Sequence, residues 1–475
     1  MQIKSRYHRK RGTKLVISMV CGRLCAAFSY FRPTSAILKS VMEMESIWMD
    51  TVSLPSFEPQ RGNIKTDVLI IGGGMAGLLC GHYLQQAGAD YRLIEANTIC
   101  GGVTGCTTAK ITSQHGLIYD KLLRRFGVEK AKLYYEANEA ALGHYRDLSC
   151  NMDCDFEEKD SYVYACDDFR KLDRELAALE KISAVAEFTA KLPLPVAAVG
   201  AIRFPRQAQF HPLKFAAAIT NGQKIYENTR AISYEGSGVV CTNHGKIRAG
   251  KIIVATHFPL YNKHGLYFMK LYQHRSYVLG LEDGPDVNGM YVDESKAGLS
   301  FRNHGKYLLL GGGSHRTGKR GGNWGELLAF TQVHYPDSKV TYRWATQDCM
   351  SLDDVPYIGQ YSLNTPDIFV ASGFNKWGMT GAMTAAMILS DQILGRKNEY
   401  EEAFSPSRSV FRPQLLCNIL ESSVNLLTPT KPRCPHMGCA LKWNRQEHSW
   451  DCPCHGSRFD EQGRLLQNPA NGDLK

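Results

Sequence analysis

The chain has 475 residues, room for about three domains at the usual ~100–200 residues each. Its 44% hydrophobic and 21% charged content is ordinary for a globular protein and excludes a disordered, collagenous or disulfide-scaffold chain. The net charge of +10 is unevenly spread: residues 1–42 hold nine basic residues and no acid, so the remaining 433 carry only +1 and nucleic-acid binding loses its electrostatic support.

The first segment, residues 1–46, is an extension that joins a basic run to an apolar stretch, residues 15–31, broken by Arg23. That order fits a signal or an anchor. Against it, the stretch is short for a membrane span, Arg9-Lys10-Arg11 is no twin-arginine pair, and no small-x-small cleavage site stands out. The expectation is a dispensable extension on a cytoplasmic protein, with Met42, Met44 or Met49 as the working start. Export or membrane anchoring is the alternative, so membrane association stays open.

Residues 66–71 predict a buried strand that runs straight into Gly72-Gly73-Gly74-Met75-Ala76-Gly77. Leu78, Leu79, Tyr83 and Leu84 then supply the apolar stripe of a helix. This is GxGxxG in its proper setting. Gly72 permits the tight turn, Gly74 lets the backbone approach a pyrophosphate, and Gly77 lets helix and strand pack closely. The helix amino terminus offers free N–H groups and a positive dipole end to phosphates. A second strand, residues 91–94, ends in Glu95, whose carboxylate can accept hydrogen bonds from a ribose. Together these specify a bound dinucleotide.

Later elements decide which one. Residues 251–257 predict a strand ending in a small-residue turn. Asp353-Asp354-Val355-Pro356-Tyr357-Ile358-Gly359 leads to a strand over 368–371 and then to Gly373-Phe374-Asn375-Lys376-Trp377-Gly378-Met379-Thr380. A helix to about Leu394 follows. Such a turn can lay backbone N–H groups along a flavin edge. The glycine run from Gly311 to Gly313 also follows an apolar strand, but Arg316 stands at the third-glycine position and no helix opens there. No separate NAD(P)H domain is visible, so the electrons are expected from an organic substrate.

The strongest motif comes last. Cys434-Pro435-His436-Met437-Gly438-Cys439 and Cys452-Pro453-Cys454-His455-Gly456-Ser457 read C-x-H, fifteen residues, then C-x-x-H. Two thiolates (Cys434, Cys452) and two imidazoles (His436, His455) are the ligand set of a Rieske [2Fe–2S] cluster. A Cys₂His₂ zinc site is the alternative, but such sites usually open with C-x₂₋₄-C.

On these motifs, residues 64–405 resemble the D-amino-acid oxidase/glycine oxidase family of FAD-dependent oxidoreductases, and residues 434–475 resemble a Rieske domain. The whole, over residues 47–475, is similar to a bacterial architecture that places a Rieske module behind an oxidase-like FAD module. The resemblance implies an α/β chain with a Rossmann-like FAD domain (about 64–116, 206–260 and 351–396) interleaved with an antiparallel α+β substrate domain (about 117–205 and 261–350). A linker, 406–433, and a small all-β Rieske-type domain follow. It also implies FAD contacts at Gly72, Gly74, Gly77, Glu95, Gly373, Trp377, Gly378 and Met379, and at Thr107 in a loop brought against the flavin. Cys439 and Cys454 stand where Rieske proteins of the respiratory type form a disulfide, and Gln467-Asn468-Pro469-Ala470 where they place a proline loop over the cluster. Two departures are visible. Base-domain strands normally precede the first cluster loop, yet here a helical stretch, 411–427, nearly reaches Cys434. Phe459 stands where an aromatic hydroxyl often bonds near the cluster, which should lower the potential.

Candidate catalytic residues are Arg302, as a substrate-carboxylate clamp, and His315, facing the flavin; Trp344 and Gln347 read better as core and brace. Cys106 and His115 are positions for a covalent flavin link, with a buried thiol and a loop histidine as the simpler readings. The implied activity is oxidation of a small amine or amino-acid-type substrate by FAD, the electrons leaving through the cluster to an acceptor protein or a quinone. The alternatives are a peroxide-forming oxidase with a vestigial Rieske part, and an electron carrier serving a partner. A Rieske oxygenase is disfavoured, since no two-His-one-carboxylate spacing appears.

Overall fold

The computed structural model describes residues 45–261, 264–295, 298–429 and 432–474. Residues 1–44 of the extension, with the expectations of a signal, an anchor or a start at Met42 or Met44, fall outside them, whereas Met49 lies within a described helix behind buried Ile47 and Trp48. A short helix, α1 (Ile47–Thr51), precedes the first βαβ unit: β1 (Ile64–Ile71), α2 (Met75–Gln86) and β2 (Tyr91–Ile94). The chain then leaves this layer through β3 (Lys110–Ile111), the long α3 (Tyr119–Ser149, broken at Gly127), β4 (Glu157–Ala165), α4 (Phe169–Lys181), β5 (Glu187–Thr189) and β6 (Gly200–Gln209). It returns with α5 (Pro212–Ile219), β7 (Ile225–Tyr226), β8 (Ala231–Gly236), β9 (Val239–Thr242) and β10 (Gly245–Val254). A second excursion holds α6 (Tyr267–Lys270), β11 (Tyr272–Glu282), β12 (Met290–Asp293), β13 (Ser300–His304), β14 (Tyr307–Arg316), α7 (Asn323–His334) and β15 (Lys339–Met350). The last return brings β16 (Tyr357–Ser362), β17 (Thr365–Ser372) and α8 (Gly378–Ile393).

The two layers are two sheets. The first has the order β16-β17-β10-β1-β2-β7, with β8 and β9 as a hairpin on β10; its β17, β10, β1, β2 and β7 run parallel. Helices cover such a sheet on both faces, which is why β1 needs an unbroken apolar run: Val68 to Ile71 are all buried. In register, Ile71 pairs with both Ile94 and Val254. The carboxyl ends of β1, β2 and β10 therefore stop at one level, where a parallel sheet binds ligands. The second sheet, β15-β11-β14-β13-β12-β4-β6-β3 with β5 beside β6, is antiparallel except for the β4–β12 pair.

After α9 (Glu401–Phe404) and α10 (Pro413–Leu427), four short strands close the chain: β18 (Lys442–Asn444), β19 (Ser449–Asp451), β20 (Arg458–Phe459) and β21 (Leu465–Gln467), in one antiparallel sheet. Among the described residues no strand lies between α10 and Cys434. The missing support comes from the larger sheet. Gln273 Nε2 donates to His455 O at 2.8 Å, Gln347 Nε2 to Gly456 O at 2.8 Å, and Arg316 Nε to Pro453 O at 3.1 Å. Arg275, 2% exposed, is ion-paired with Glu447, which also accepts from Arg458 at 2.8 Å and from the Tyr277 hydroxyl at 2.8 Å. Thus β11, β14 and β15 serve as the base on which the small sheet rests.

Candidate functional site

A cavity of about 560 Å³ opens where β1, β2 and β10 end. Its floor is the turn Gly72–Gly74. Gly72 has φ +113°, and a Cβ there would stand 2.5 Å from Ala255 O, so only glycine lets this turn close on the end of β10. Gly77 does not line the cavity; a Cβ on it would lie 1.9 Å from Gly72 O, so it is where α2 presses on the turn. Gly74 does line it, and a Cβ there would meet only Thr104 Oγ1, at 3.4 Å, before entering the open space. Glu95 lines the cavity with its carboxylate held by two backbone donors, Gly73 N at 2.8 Å and Asn97 N at 2.9 Å. Thr107, Trp377, Gly378 and Met379 are also on the wall. An elongated cofactor with a pyrophosphate fits this cradle: bare backbone below, a fixed carboxylate at one end and the start of α8 at the other.

Other residues sit elsewhere than expected. Gly373 is not on the wall; with φ +74° it shapes the turn after β17. Arg302 does not line the cavity. Its guanidinium donates to Thr108 O and Ala109 O, both at 2.9 Å, and lies 5.3 Å from the Trp48 ring. Burial lowers its pKa to about 9; Nη1 and Nε are used in bonds to backbone carbonyls, while Nη2 is buried with no hydrogen-bond partner among the described residues. His315 is likewise off the wall, between the Tyr277 hydroxyl (3.0 Å) and Asn323 Oδ1 (2.9 Å), where it braces α7. Neither side chain lines the cavity in which the sequence reading expected it. His115 does line the cavity, but both ring nitrogens are engaged: Nδ1 with the Tyr134 hydroxyl at 2.6 Å, Nε2 with Thr112 O at 2.7 Å and the Thr380 hydroxyl at 2.9 Å. Burial lowers its pKa to about 3, and its ring stacks on Trp377 at 5.0 Å. Cys106 is not on the wall; its carbonyl accepts from Trp344 Nε1 at 2.8 Å.

Three polar residues of the wall were not singled out by the sequence, although Lys376 lies inside the Gly373–Thr380 run and Lys110 just after Thr107. Lys110 is buried and bonded to the Thr108 hydroxyl at 3.2 Å; burial, then the nearby Arg302 charge, brings its pKa down to about 7. Asp348 accepts from the Ser276 hydroxyl at 3.3 Å, and burial raises its pKa. Lys376 donates to the Ser314 hydroxyl at 3.0 Å. They come from β3, β15 and the turn before α8, elements that only the folded chain brings together.

The second centre lies beyond one turn of chain. Its two loops have the same build: Gly438 N donates to Cys434 O at 2.8 Å, and Gly456 N to Cys452 O at 2.9 Å. This turns Cys434 and His436 toward Cys452 and His455. The side chains of Cys452 and Ser457 are polar neighbours of the Cys434 thiol, and the two imidazoles stand 4.9 Å apart at 87°. Burial lowers the pKa of His436 to about 4 and that of His455 to about 3, which keeps both rings neutral, as iron ligation requires. Neither ring nitrogen of His455 has a partner at hydrogen-bonding geometry; the backbone of Phe268 offers only a weaker polar contact. Buried donors in this state fit an iron–sulfur cluster. The sulfurs of Cys439, Cys452 and Cys454 lie within 4.8 Å of one another, with Cys439 and Cys454 as free thiols. Phe459 is fully buried in the core of the small sheet.

A family model described as FAD dependent oxidoreductase matches residues 67–392, and one described as Rieske [2Fe-2S] domain matches residues 415–475. YhfW of Bacillus subtilis (strain 168), which its name assigns to the Rieske 2Fe-2S iron-sulfur proteins, is 33% identical over 91% of this chain and 97% of its own. Gamma-glutamylputrescine oxidoreductase of Escherichia coli (strain K12) is 23% identical over 73% of this chain and 87% of its own. The crystal structure of glycine oxidase from Geobacillus kaustophilus superposes with a TM-score of 0.61 at 19% identity, over 73% of this chain and all of that one, which is a likeness of fold. This chain belongs to the FAD dependent oxidoreductase family, an enzyme that uses FAD and carries a Rieske [2Fe-2S] domain at its carboxyl end.

Proposed function

We propose that the enzyme oxidises the C–N bond of a small amine or amino-acid-type substrate and passes the electrons through the cluster to a separate acceptor. The observation that carries this reading is the turn after β10. Thr256 and His257 line the flavin cavity, while the next residue, Phe258, stands 6.0 Å from the His436 ring and 6.1 Å from the His455 ring. Asn468, from the proline loop, donates to Thr256 O at 2.5 Å and Phe258 O at 3.1 Å, so the Rieske part itself holds the turn. Bound FAD supplies two-electron uptake with one-electron release, and the cluster supplies single-electron carriage.

The residues of the chain would do the rest. Gly72, Gly74 and Glu95 hold the dinucleotide end, and the start of α8 holds the ring end. Lys110, with a pKa near 7, can take the proton that a substrate ammonium must lose before its C–N bond is oxidised. Asp348 and Lys376 offer charges of both signs to an amino acid. The substrate class draws support from the relatives, gamma-glutamylputrescine oxidoreductase and glycine oxidase. The ligand roles of Cys434, His436, Cys452 and His455, and a Cys439–Cys454 disulfide, belong to the same proposal. So does a cytoplasmic location, in keeping with the many free thiols; no helix among the described residues is long and apolar enough to cross a membrane.

The test is His455→Ala. Substrate should still bleach the flavin anaerobically, because His455 lies outside the cavity, while the reduced-cluster signal in electron paramagnetic resonance disappears. If dithionite reduces the wild-type cluster but bound substrate never does, the relay is wrong. If reconstituted wild type shows no Rieske signal and releases stoichiometric peroxide, the enzyme is a simple oxidase.

A further inference from the structure

Helix α10 is mounted inside out. A helix packed on a globular protein normally turns its apolar stripe inward. Here Leu416, Leu420, Val424 and Leu427, spaced four, four and three apart on one face, are 65%, 65%, 62% and 82% exposed. Phe411, just ahead of the helix, is 83% exposed. The face turned inward is polar: Asn418 and Asn425 are buried. Asn418 Nδ2 donates to Met269 O at 3.1 Å and its Oδ1 accepts from Arg316 at 3.0 Å, while Asn425 O accepts from Ala440 N at 2.9 Å. The helix is thus fastened by specific hydrogen bonds, and its apolar side is left out as a continuous strip. Such a strip marks a contact surface.

The charges around it say what kind. Between residues 409 and 435 the sequence has one acid, Glu421, and that is paired with Lys319 at 2.7 Å. Arg412 stands at one end of the strip and the exposed Arg433 at the other, and exposed Arg320 adjoins Lys319 beside its middle. An apolar stripe of leucines framed by cations and almost free of acids is the pattern of a helix lying in the interface of an anionic bilayer.

We infer that α10 docks this protein on the surface of an anionic lipid membrane, with Phe411, Leu416, Leu420, Val424 and Leu427 entering the headgroup boundary. The position is informative. Arg433 ties the end of the helix to the first cluster loop, donating to Leu426 O at 3.2 Å, Thr428 O at 2.6 Å and Gly438 O at 2.7 Å. Docking through this strip therefore brings the loop of His436 beside the bilayer, within reach of an acceptor dissolved in it. The docking itself stands apart from the electron path, because lipid binding requires neither substrate nor turnover.

Flotation of the full-length holoenzyme tests it, with vesicles of phosphatidylglycerol and phosphatidylcholine in equal parts against phosphatidylcholine alone. Wild type should float with the anionic vesicles, at least about tenfold less with the neutral ones, and less again at high salt. Leu420→Glu/Val424→Glu should lose at least about tenfold in partitioning, with flavin and cluster absorbance unchanged, since both side chains are mostly exposed. Leu420→Gln/Val424→Gln, which adds no charge, should weaken it as well. The inference fails if wild type does not float, or if the Glu pair floats like wild type, which would place any binding elsewhere in the chain. It fails too if the Gln pair binds fully. A wild type that ignores vesicles but forms a dimer split by the Glu pair would assign the strip to a second copy instead.

Discussion

Gly74 and Lys110 show how single residues of the cavity can be tested apart from the fold. A valine at Gly74 would put its methyl groups into the cradle rather than into neighbouring backbone, so the fold should survive while flavin is lost; stoichiometric flavin absorbance in purified Gly74→Val would refute the assigned cradle. Lys110 gives a different signature. Its pKa is lowered from 10.5 to about 7 in the folded protein. Between those values the unfolded chain binds more protons, so stability rises with pH across that interval. Below about pH 7 the folded protein bears the full cost of a buried cation. Lys110→Met should therefore stabilise the protein, by a few kcal/mol at most near pH 7, with the gain fading as pH approaches 10.5, while turnover falls. Denaturation midpoints across that range decide it. Equal or lower stability in the variant would mean that the ammonium is well solvated.

At the scale of elements, the helix before the first strand makes the plainest prediction. Trp48 of α1 is wholly buried; its Nε1 donates to Thr107 O at 2.6 Å, and its ring meets His211 and His304 edge-on at 4.9 and 4.8 Å. Trp48→Ala should cost about 3–5 kcal/mol, and because Thr107 lines the cavity, flavin retention should weaken with it; a variant with unchanged melting would show that α1 is an appendage. Five residues carry too little periodicity for this helix to be read from sequence, and its value lies in contacts with residues near 107, 211 and 304. The β1–α2–β2 unit was legible because an apolar run, a glycine turn and a helical stripe follow one another within 30 residues. Arg302 and His315 lie off the cavity wall, where the sequence reading did not expect them, for the opposite reason. Their residue types suit catalysis, but strand neighbours decide which way a side chain points, and here they point into bonds with Ala109 and Asn323. Lys110 and Lys376 lie in or beside segments the sequence marks, the loop of Thr107 and the turn before α8, but nothing local sets them or Asp348 apart, since the three converge only when distant segments meet. Since β3 and all of β6 pair in the second sheet, the interleaving we propose gives both to the substrate part.

Across the whole molecule, the apparent lack of a base beneath the cluster loops has a physical answer in how the modules join. The sequence could show that strands were missing ahead of Cys434; it could not show that β11, β14 and β15 stand in for them. The joint is charged and buried. Burial alone would raise the pKa of Glu447, but Arg275 and Arg458 outweigh it and hold it at about 2, against 4.5 for a free carboxyl. A depressed carboxyl contributes stability that is fully present above about pH 4.5 and is lost as pH falls through about 2. The wild-type joint should thus be insensitive to neutral pH and open only in strong acid. Glu447→Gln removes the charge and one of the two acceptor oxygens, leaving buried Arg275 with only neutral side-chain acceptors, the new amide oxygen and Gln467 Oε1 at 3.3 Å. Stranding a buried cation costs about 3–5 kcal/mol. The cost falls on the joint, not on the FAD cradle, so the variant should keep its flavin while the Rieske segment becomes the first region cut by protease and cluster reduction by substrate slows. Its loss of stability relative to wild type should shrink as pH falls from 4.5 toward 2, because the unfolded wild-type chain then binds the proton that its folded joint still refuses. If Glu447→Gln instead loses flavin and cluster together in one transition, the two modules fold as a single unit and the joint is not the weak seam.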